Sequence, residues 1–224
     1  MREMSVFDVI GPVMVGPSSS HTAGALRIAR TVRKLARYKI VAAHFKLYGS
    51  FSQTYRGHGT DKALVAGILG FATDDLRIRD SFAIAKESGI DISFEICDEE
   101  NDFHPNTVEV TATGDNGTQL FVRGSSIGGG EIEITNINGF SLSFSGRYNA
   151  VIVTQKDEPG VVANIASVFE RYGINIAYMS VYREGKGDNA CSIIEIDGMP
   201  DDKFIQELAN QPSISSVRYF RLAG

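Results

Sequence analysis

From Asn149 onward the chain alternates apolar strands and amphipathic helices in an order that few folds satisfy. Asn149 to Thr154 is apolar, and Gly160 to Tyr172 sets Val161, Val162, Ile165, Ala166 and Phe169 at helical spacing. Ile174 to Tyr182 and Asn189 to Ile196 read as strands on either side of Gly185-Lys186-Gly187. Asp201 to Ala209 supplies a second helix, and Ser215 to Leu222 a final strand. Strand, helix, strand, strand, helix, strand within roughly 75 residues predicts the split βαβ, ferredoxin-like arrangement.

The residues before it have another texture. Ser145-Gly146-Arg147 is the predicted linker, which leaves residues 1–145 as a first domain and 148–224 as a second. In the first, Gly16-Pro17-Ser18-Ser19-Ser20-His21-Thr22-Ala23-Gly24 concentrates hydroxyls and an imidazole ahead of a helix. One face of that helix carries Ala25, Ile28, Ala29, Val32, Leu35 and Ala36. Ser20 or Thr22 is expected near its N-terminus, where unpaired N–H groups and the positive end of the helix dipole favour a carboxylate or phosphate. A plain N-cap satisfies the same serine run. Upstream, Val6 to Ile10 reads as a helical turn closed by Gly11-Pro12.

Ile40 to Tyr48 alternates as a half-buried strand with His44 on its polar face. Gly49 to Thr60, rich in glycine and hydroxyls, is read as a loop leading into a helix over 61–69. Another helical stretch falls between Thr73 and Gly89, and Ile90 to Cys97 returns to strand. Strands over 108–113 and 119–123 are expected to pair across Asp115-Asn116-Gly117. Gly124 to Gly130 is read as a third loop whose glycines take positive φ; it matches neither phosphate-binding glycine pattern. Glu131 to Ile134 and Phe140 to Phe144 alternate as strands.

Composition removes several function classes. A formal charge of −5 with interspersed signs gives no basic stripe for nucleic acid. No apolar run reaches the length of a bilayer span, and Met1-Arg2-Glu3 begins no signal peptide, so a cytoplasmic location is expected with no membrane partner. Cys97 and Cys191 lie far apart in apolar runs and read as buried structural thiols, with no metal site of this chain's own.

Three of the four histidines, His21, His58 and His104, fall in the predicted loops and are the candidates for chemistry. His58, between two glycines, has little cover and can approach a substrate as general base; Asp61 either orients it or caps the following helix. His104 and Asn106 flank Pro105, which presents an imidazole and an amide side by side for a small polar ligand. A structural hydrogen-bonding role fits each histidine taken singly. In the second domain, Asp157-Glu158-Pro159-Gly160 opens a helix, and Asn175 is placed at the same end of the sheet for a ligand.

Taken together, Ser5-Val6-Phe7-Asp8, the 16–22 loop, Gly57-His58-Gly59-Thr60-Asp61, His104-Pro105-Asn106 and Ser126 to Gly130 resemble the beta chain of bacterial iron–sulfur L-serine dehydratase. The resemblance implies an α+β first domain, shared with the allosteric substrate-binding domain of some phosphoglycerate dehydrogenases. Residues 148–224 resemble an ACT domain, an amino-acid-binding regulatory module, through Asp157, Pro159, Gly160 and Asn175. The family converts L-serine to pyruvate and ammonia with a 4Fe-4S cluster held by the alpha chain, whose iron acts as Lewis acid on the substrate. The two cysteines here match no cluster motif.

Carried onto this sequence, His58 is the candidate base. Ser18, Ser19, Ser20, His21 and Thr22 form the carboxylate- and cluster-facing surface, and His104 and Asn106 recognise a ligand. Asp157, Pro159, Gly160 and Asn175 take an amino-acid effector. The implied partners are an alpha subunit, L-serine and a second copy of the chain through its ACT domain. A stand-alone amino-acid-binding regulatory protein without catalysis is the alternative.

Overall fold

A computed structural model describes residues 13–97, 99 and 101–221. The helical turn expected over 6–10, its Gly11-Pro12 stop, the Ser5 to Asp8 motif and Leu222 lie outside these residues. The chain divides into two compact units, the first closing at Gly139 and the second opening at Phe140.

In the first unit, five strands lie in the order β2-β1-β3-β4-β5: β1 (Ile40–Tyr48), β2 (Asp91–Cys97), β3 (Thr107–Gly114), β4 (Gln119–Gly128) and β5 (Glu131–Ile137). β2 runs parallel to β1, and the other pairs are antiparallel. Asp115-Asn116-Gly117 makes the expected β3–β4 turn, with Gly117 at φ 77°.

Helix α1 (Ala25–Ala36) buries the predicted face, Leu26 included, and ends at Arg37, whose φ of 49° is left-handed. A short α2 (Gly49–Thr54) and then α3 (Thr60–Leu69) follow β1. Every residue of α3 from Ala63 to Ile68 is buried, which makes it the central helix of the unit. Gly67 sets its approach to α1. A Cβ there would fall on the Leu26 carbonyl oxygen and lie 2.6 Å from the Ala29 methyl, so the two backbones cross where no side chain fits.

Two loops predicted from composition are partly regular, and one predicted helix is interrupted. Gly49 to Thr54 folds as α2 because its hydroxyls bond local carbonyls, Ser52 Oγ to Gly49 O and Thr54 Oγ1 to Ser50 O, both at 2.7 Å. The helix expected between Thr73 and Gly89 is broken. Asp75 caps a 3₁₀ turn (Leu76–Asp80) by accepting from Arg77 N, and α4 (Ser81–Glu87) follows, stopping before Gly89. β4 runs on through Ser125 and Ser126, which pair with Glu133 and Ile132, so the positive-φ turn is confined to Gly128-Gly129-Gly130.

The second unit begins with β6 (Phe140–Phe144), ahead of the predicted linker, and Phe144 meets Phe220 edge-on at 5.0 Å. Then come β7 (Asn149–Lys156), α5 (Val161–Arg171), β8 (Ile176–Arg183), β9 (Asn189–Ile196), α6 (Asp202–Ala209) and β10 (Ile214–Phe220). The sheet order β10-β7-β9-β8 is the ferredoxin-like one. Val151, Val153 and Ile194 pack beneath Ile165, Phe169, Phe204 and Leu208. No helix among the described residues is long and apolar enough to cross a membrane.

Replacing Gly67 with Ala is expected to cost about 1–3 kcal/mol, the usual penalty of overpacking a close contact. A urea transition of the first unit at unchanged midpoint would contradict the crossing described.

Candidate functional site

Ser18, rather than Ser20 or Thr22, is the N-cap, because the helix starts a turn earlier than its apolar face suggests. Ser18 Oγ accepts from His21 N at 3.1 Å, and residues Ser19–Gly24 form a π-helical turn that runs into α1. Wider π-helical winding is common at functional positions because it re-aims side chains that an α-turn would stack. Here it turns His21 toward α2 and the Gly57-His58-Gly59 segment. His21 Nε2 lies 2.9 Å from Ser50 Oγ, and its ring meets the His58 ring edge-on at 4.8 Å and the Phe51 ring at 5.4 Å.

Thr22 is buried and has two partners. Its Oγ1 donates to His58 O at 3.2 Å, and its side chain fills the space that a Cβ on Gly16 would occupy. Gly16 takes φ 125°, a second reason for glycine there. Thr22 thus fixes the backbone of the His58 loop. Ser18 Oγ is committed to the cap, whereas Ser19 and Ser20 are half-buried and make no side-chain hydrogen bond among the described residues.

His58 precedes Gly59, whose φ of 68° turns the chain into α3. Among the described residues its buried Nδ1 has no hydrogen-bond partner, and neither has Thr60 Oγ1 two residues on. Such orphaned atoms are rare in interiors, and a catalytic role is one physical reason for them. His58 and Thr22 line a cavity of about 320 Å³ together with Arg56, Lys62 and Arg79. Among the described residues Asp61 makes no side-chain hydrogen bond to His58, and it does not line the cavity. Its Oδ1 accepts from Lys62 N at 2.8 Å, and burial raises its carboxyl above the usual range.

The His104-Pro105-Asn106 turn joins the same assembly through backbone. A Cβ on Gly49 would strike Pro105 O at 2.7 Å, Phe51 N donates to Pro105 O at 3.3 Å, and Ser126 N donates to Asn106 O at 2.9 Å. The imidazole is exposed, and its Nδ1 accepts from Asn106 N at 3.1 Å, so the ring is held as part of the turn rather than standing free beside the amide. Neither His104 nor Asn106 lines the cavity that holds His58.

The chain's likenesses match this layout. Residues 5–136 match the serine dehydratase beta chain family model, and residues 150–212 the ACT domain. It belongs to the serine dehydratase beta chain family. The probable L-serine dehydratase beta chain of Bacillus subtilis is 45% identical over 97% of this chain and 98% of its own. The L-serine dehydratase beta chain of Peptoniphilus asaccharolyticus is 40% identical over 88% and 89%. The D-3-phosphoglycerate dehydrogenase of Bacillus subtilis is 33% identical over 72% of this chain and 30% of that protein.

For a member of this family, the residues present do not fit an iron–sulfur cluster. Cys97 and Cys191 are buried in different units, and burial pushes the Cys191 thiol up to about 12, away from the thiolate a cluster requires. Among the described residues no three His, Cys, Asp or Glu side chains come together to hold a metal ion.

In the ACT unit the expectation that Asn175 shares an end with Asp157 is corrected by strand register. Lys156 pairs with Asn189 at one end of the sheet, while Asn149 and Ile176 both pair with Ile196 at the other. A crossover helix returns the chain to the end where β7 began, so β8 starts there. Asp157, whose Oδ2 lies 3.3 Å from an Arg183 guanidinium nitrogen, sits beside Pro159 and Gly160 at the first end. Asn175, which donates to Asp197 Oδ2 at 2.8 Å, is a strand length away.

Ser50, Arg56, Lys62 and Arg79 escaped the sequence reading. The sequence signal for Arg56 and Lys62 is their place flanking His58; nothing in the sequence announces Arg79.

Burial and the adjacent His58 hold the His21 imidazole below its ordinary 6.5. The folded protein keeps His21 neutral while the unfolded chain takes up its proton as pH falls through about 6.5. His21 therefore contributes full stability above that pH and loses it below, toward the lowered folded value. Urea midpoints between pH 7.5 and 5 should fall more steeply for the native chain than for His21→Gln; parallel profiles would contradict this.

Proposed function

We propose that this chain acts in the cytoplasm as one half of the site that converts L-serine to pyruvate and ammonia. An alpha chain supplies the other half together with a 4Fe-4S cluster. The observation that carries the reading is the approach of His21 and His58, 37 positions apart in the chain, to 4.8 Å beside a cavity lined by His58 and Thr22. Assigning the cluster to the alpha chain agrees with the misfit of the two buried cysteines here.

β-Elimination from L-serine requires loss of the Cα proton, and an imidazole is well matched to accept it near neutral pH. His58 is that base. His21 packs against its ring and is itself anchored by Ser50, while Thr22 holds the His58 backbone. Ser18, Ser19 and Ser20 belong to the face turned toward the alpha chain, with the two less committed hydroxyls, Ser19 and Ser20, available to substrate. His104 and Asn106 form a second recognition element on the turn tied to Gly49. After elimination, aminoacrylate tautomerises and hydrolyses without further help from the chain.

The ACT unit binds an amino-acid effector through Asp157, Pro159 and Gly160. For Asn175 to reach the same ligand, a second copy must present it, since the two ends of one sheet are about 20 Å apart. β8 is an edge strand with Tyr178 60% and Val181 44% exposed, which supports a homodimer through residues 148–224.

In the reconstituted pair, His58→Ala should lower turnover of L-serine roughly 100- to 10,000-fold, the range for a lost general base. Near-normal turnover would remove the assignment, and absence of any activity with a cluster-loaded alpha chain would favour a regulatory protein. Light scattering of the full chain should give a dimer mass; a monomer at high concentration contradicts the ACT pairing.

A further inference from the structure

The cavity beside His58 has a charge pattern that a whole amino acid does not match. Its described lining contains Arg56, Lys62 and Arg79 and no Asp or Glu. None of the three cations makes an ion pair within 4 Å among the described residues, whereas Arg77, next to this group, is already paired with Asp75. The Arg56 guanidinium lies over the Tyr55 ring at 5.4 Å, and Asp61, which interacts electrostatically with Arg56 and Lys62, stays outside the lining. A cleft lined by one sign of charge concentrates potential and draws in the opposite ion.

L-Serine is a zwitterion. Its carboxylate suits guanidinium and ammonium donors, which give charge-assisted and, for arginine, bidentate hydrogen bonds. Its ammonium finds no carboxylate in this lining, and three neighbouring cations repel it. We propose that this cavity is the carboxylate subsite of the elimination site, formed by Arg56, Lys62 and Arg79, and that the substrate's ammonium is held by an acceptor on the alpha chain. The inference rests on the reading of the chain as half of that site. It adds which half of the substrate this chain holds. Binding of the whole substrate is completed only in the pair.

Two fragments of the substrate test this on the full chain. 3-Hydroxypropanoate keeps the carboxylate and hydroxyl and lacks the ammonium; 2-aminoethanol keeps the ammonium and hydroxyl and lacks the carboxylate. Calorimetry should show 3-hydroxypropanoate binding, weakening as salt rises from about 50 mM to 0.5 M, and no binding of 2-aminoethanol. The exposed double variant Arg56→Gln/Arg79→Gln should weaken the anion roughly tenfold or more, and Arg33→Gln, an equally exposed cation on α1 outside the lining, should not. In the reconstituted pair the double variant should raise KM for L-serine about tenfold with kcat within about twofold, the signature of lost uniform binding.

Equal binding of both fragments, binding of neither, or an unchanged KM overturns the subsite. If that happens while His58→Ala still abolishes turnover, the base assignment stands without it. If the anion binds as expected and His58→Ala is harmless, the catalytic reading fails instead.

Discussion

The crossing of α1 over α3 at Gly67 governs everything that happens at the site. Both helices begin there: the π-helical turn bearing His21 leads into α1, and the His58-Gly59 segment leads into α3. Because Gly67 has no side chain, the first turns of α1, at Leu26 and Ala29, come down onto the α3 backbone near its C-terminal end. The imidazoles that meet at 4.8 Å are thus carried by the segments leading into two helices packed directly on each other. A core packed this closely transmits a small displacement to the ends of its helices rather than absorbing it.

Around that crossing, loops are secured by backbone contacts that leave side chains for other work. Thr22 holds the His58 carbonyl, Ser50 holds the His21 ring, and Pro105 presses on Gly49. Asn106 in turn accepts from Ser126. Motifs from four separate stretches are thus joined in one continuous set of contacts. Among the described residues they leave a buried imidazole nitrogen and a buried threonine hydroxyl without hydrogen-bond partners, and three cations without an ion pair within 4 Å at one cavity. These are features of a surface awaiting a partner and an anionic group, and they suit one subunit of a two-chain enzyme.

The ACT unit follows a different logic. Its core is conventional, with Phe169 against Phe204 at 4.8 Å, and its candidate ligand residues lie at opposite ends of one sheet. A single copy cannot gather them. Symmetry can, since a two-fold axis places one end of a sheet beside the other end of its copy.

Hydropathy period and turn chemistry were enough to place α1, α3, the β3–β4 hairpin and all six elements of the ferredoxin-like unit, because each is decided by residues close in sequence. The motif residues His21, His58 and His104 could be named from the chain for the same reason. Their distances could not. That His21 meets His58, that Arg79 joins Arg56 and Lys62, and that Asn175 lies far from Asp157 depend on helix crossing and strand register, which pair residues distant in sequence. Segments 49–54 and 124–128 are more regular than their composition suggests for a related reason. Composition describes what a residue prefers in isolation, while hydroxyl-to-carbonyl bonds in α2 and pairing with β5 supplied partners that only the folded chain offers.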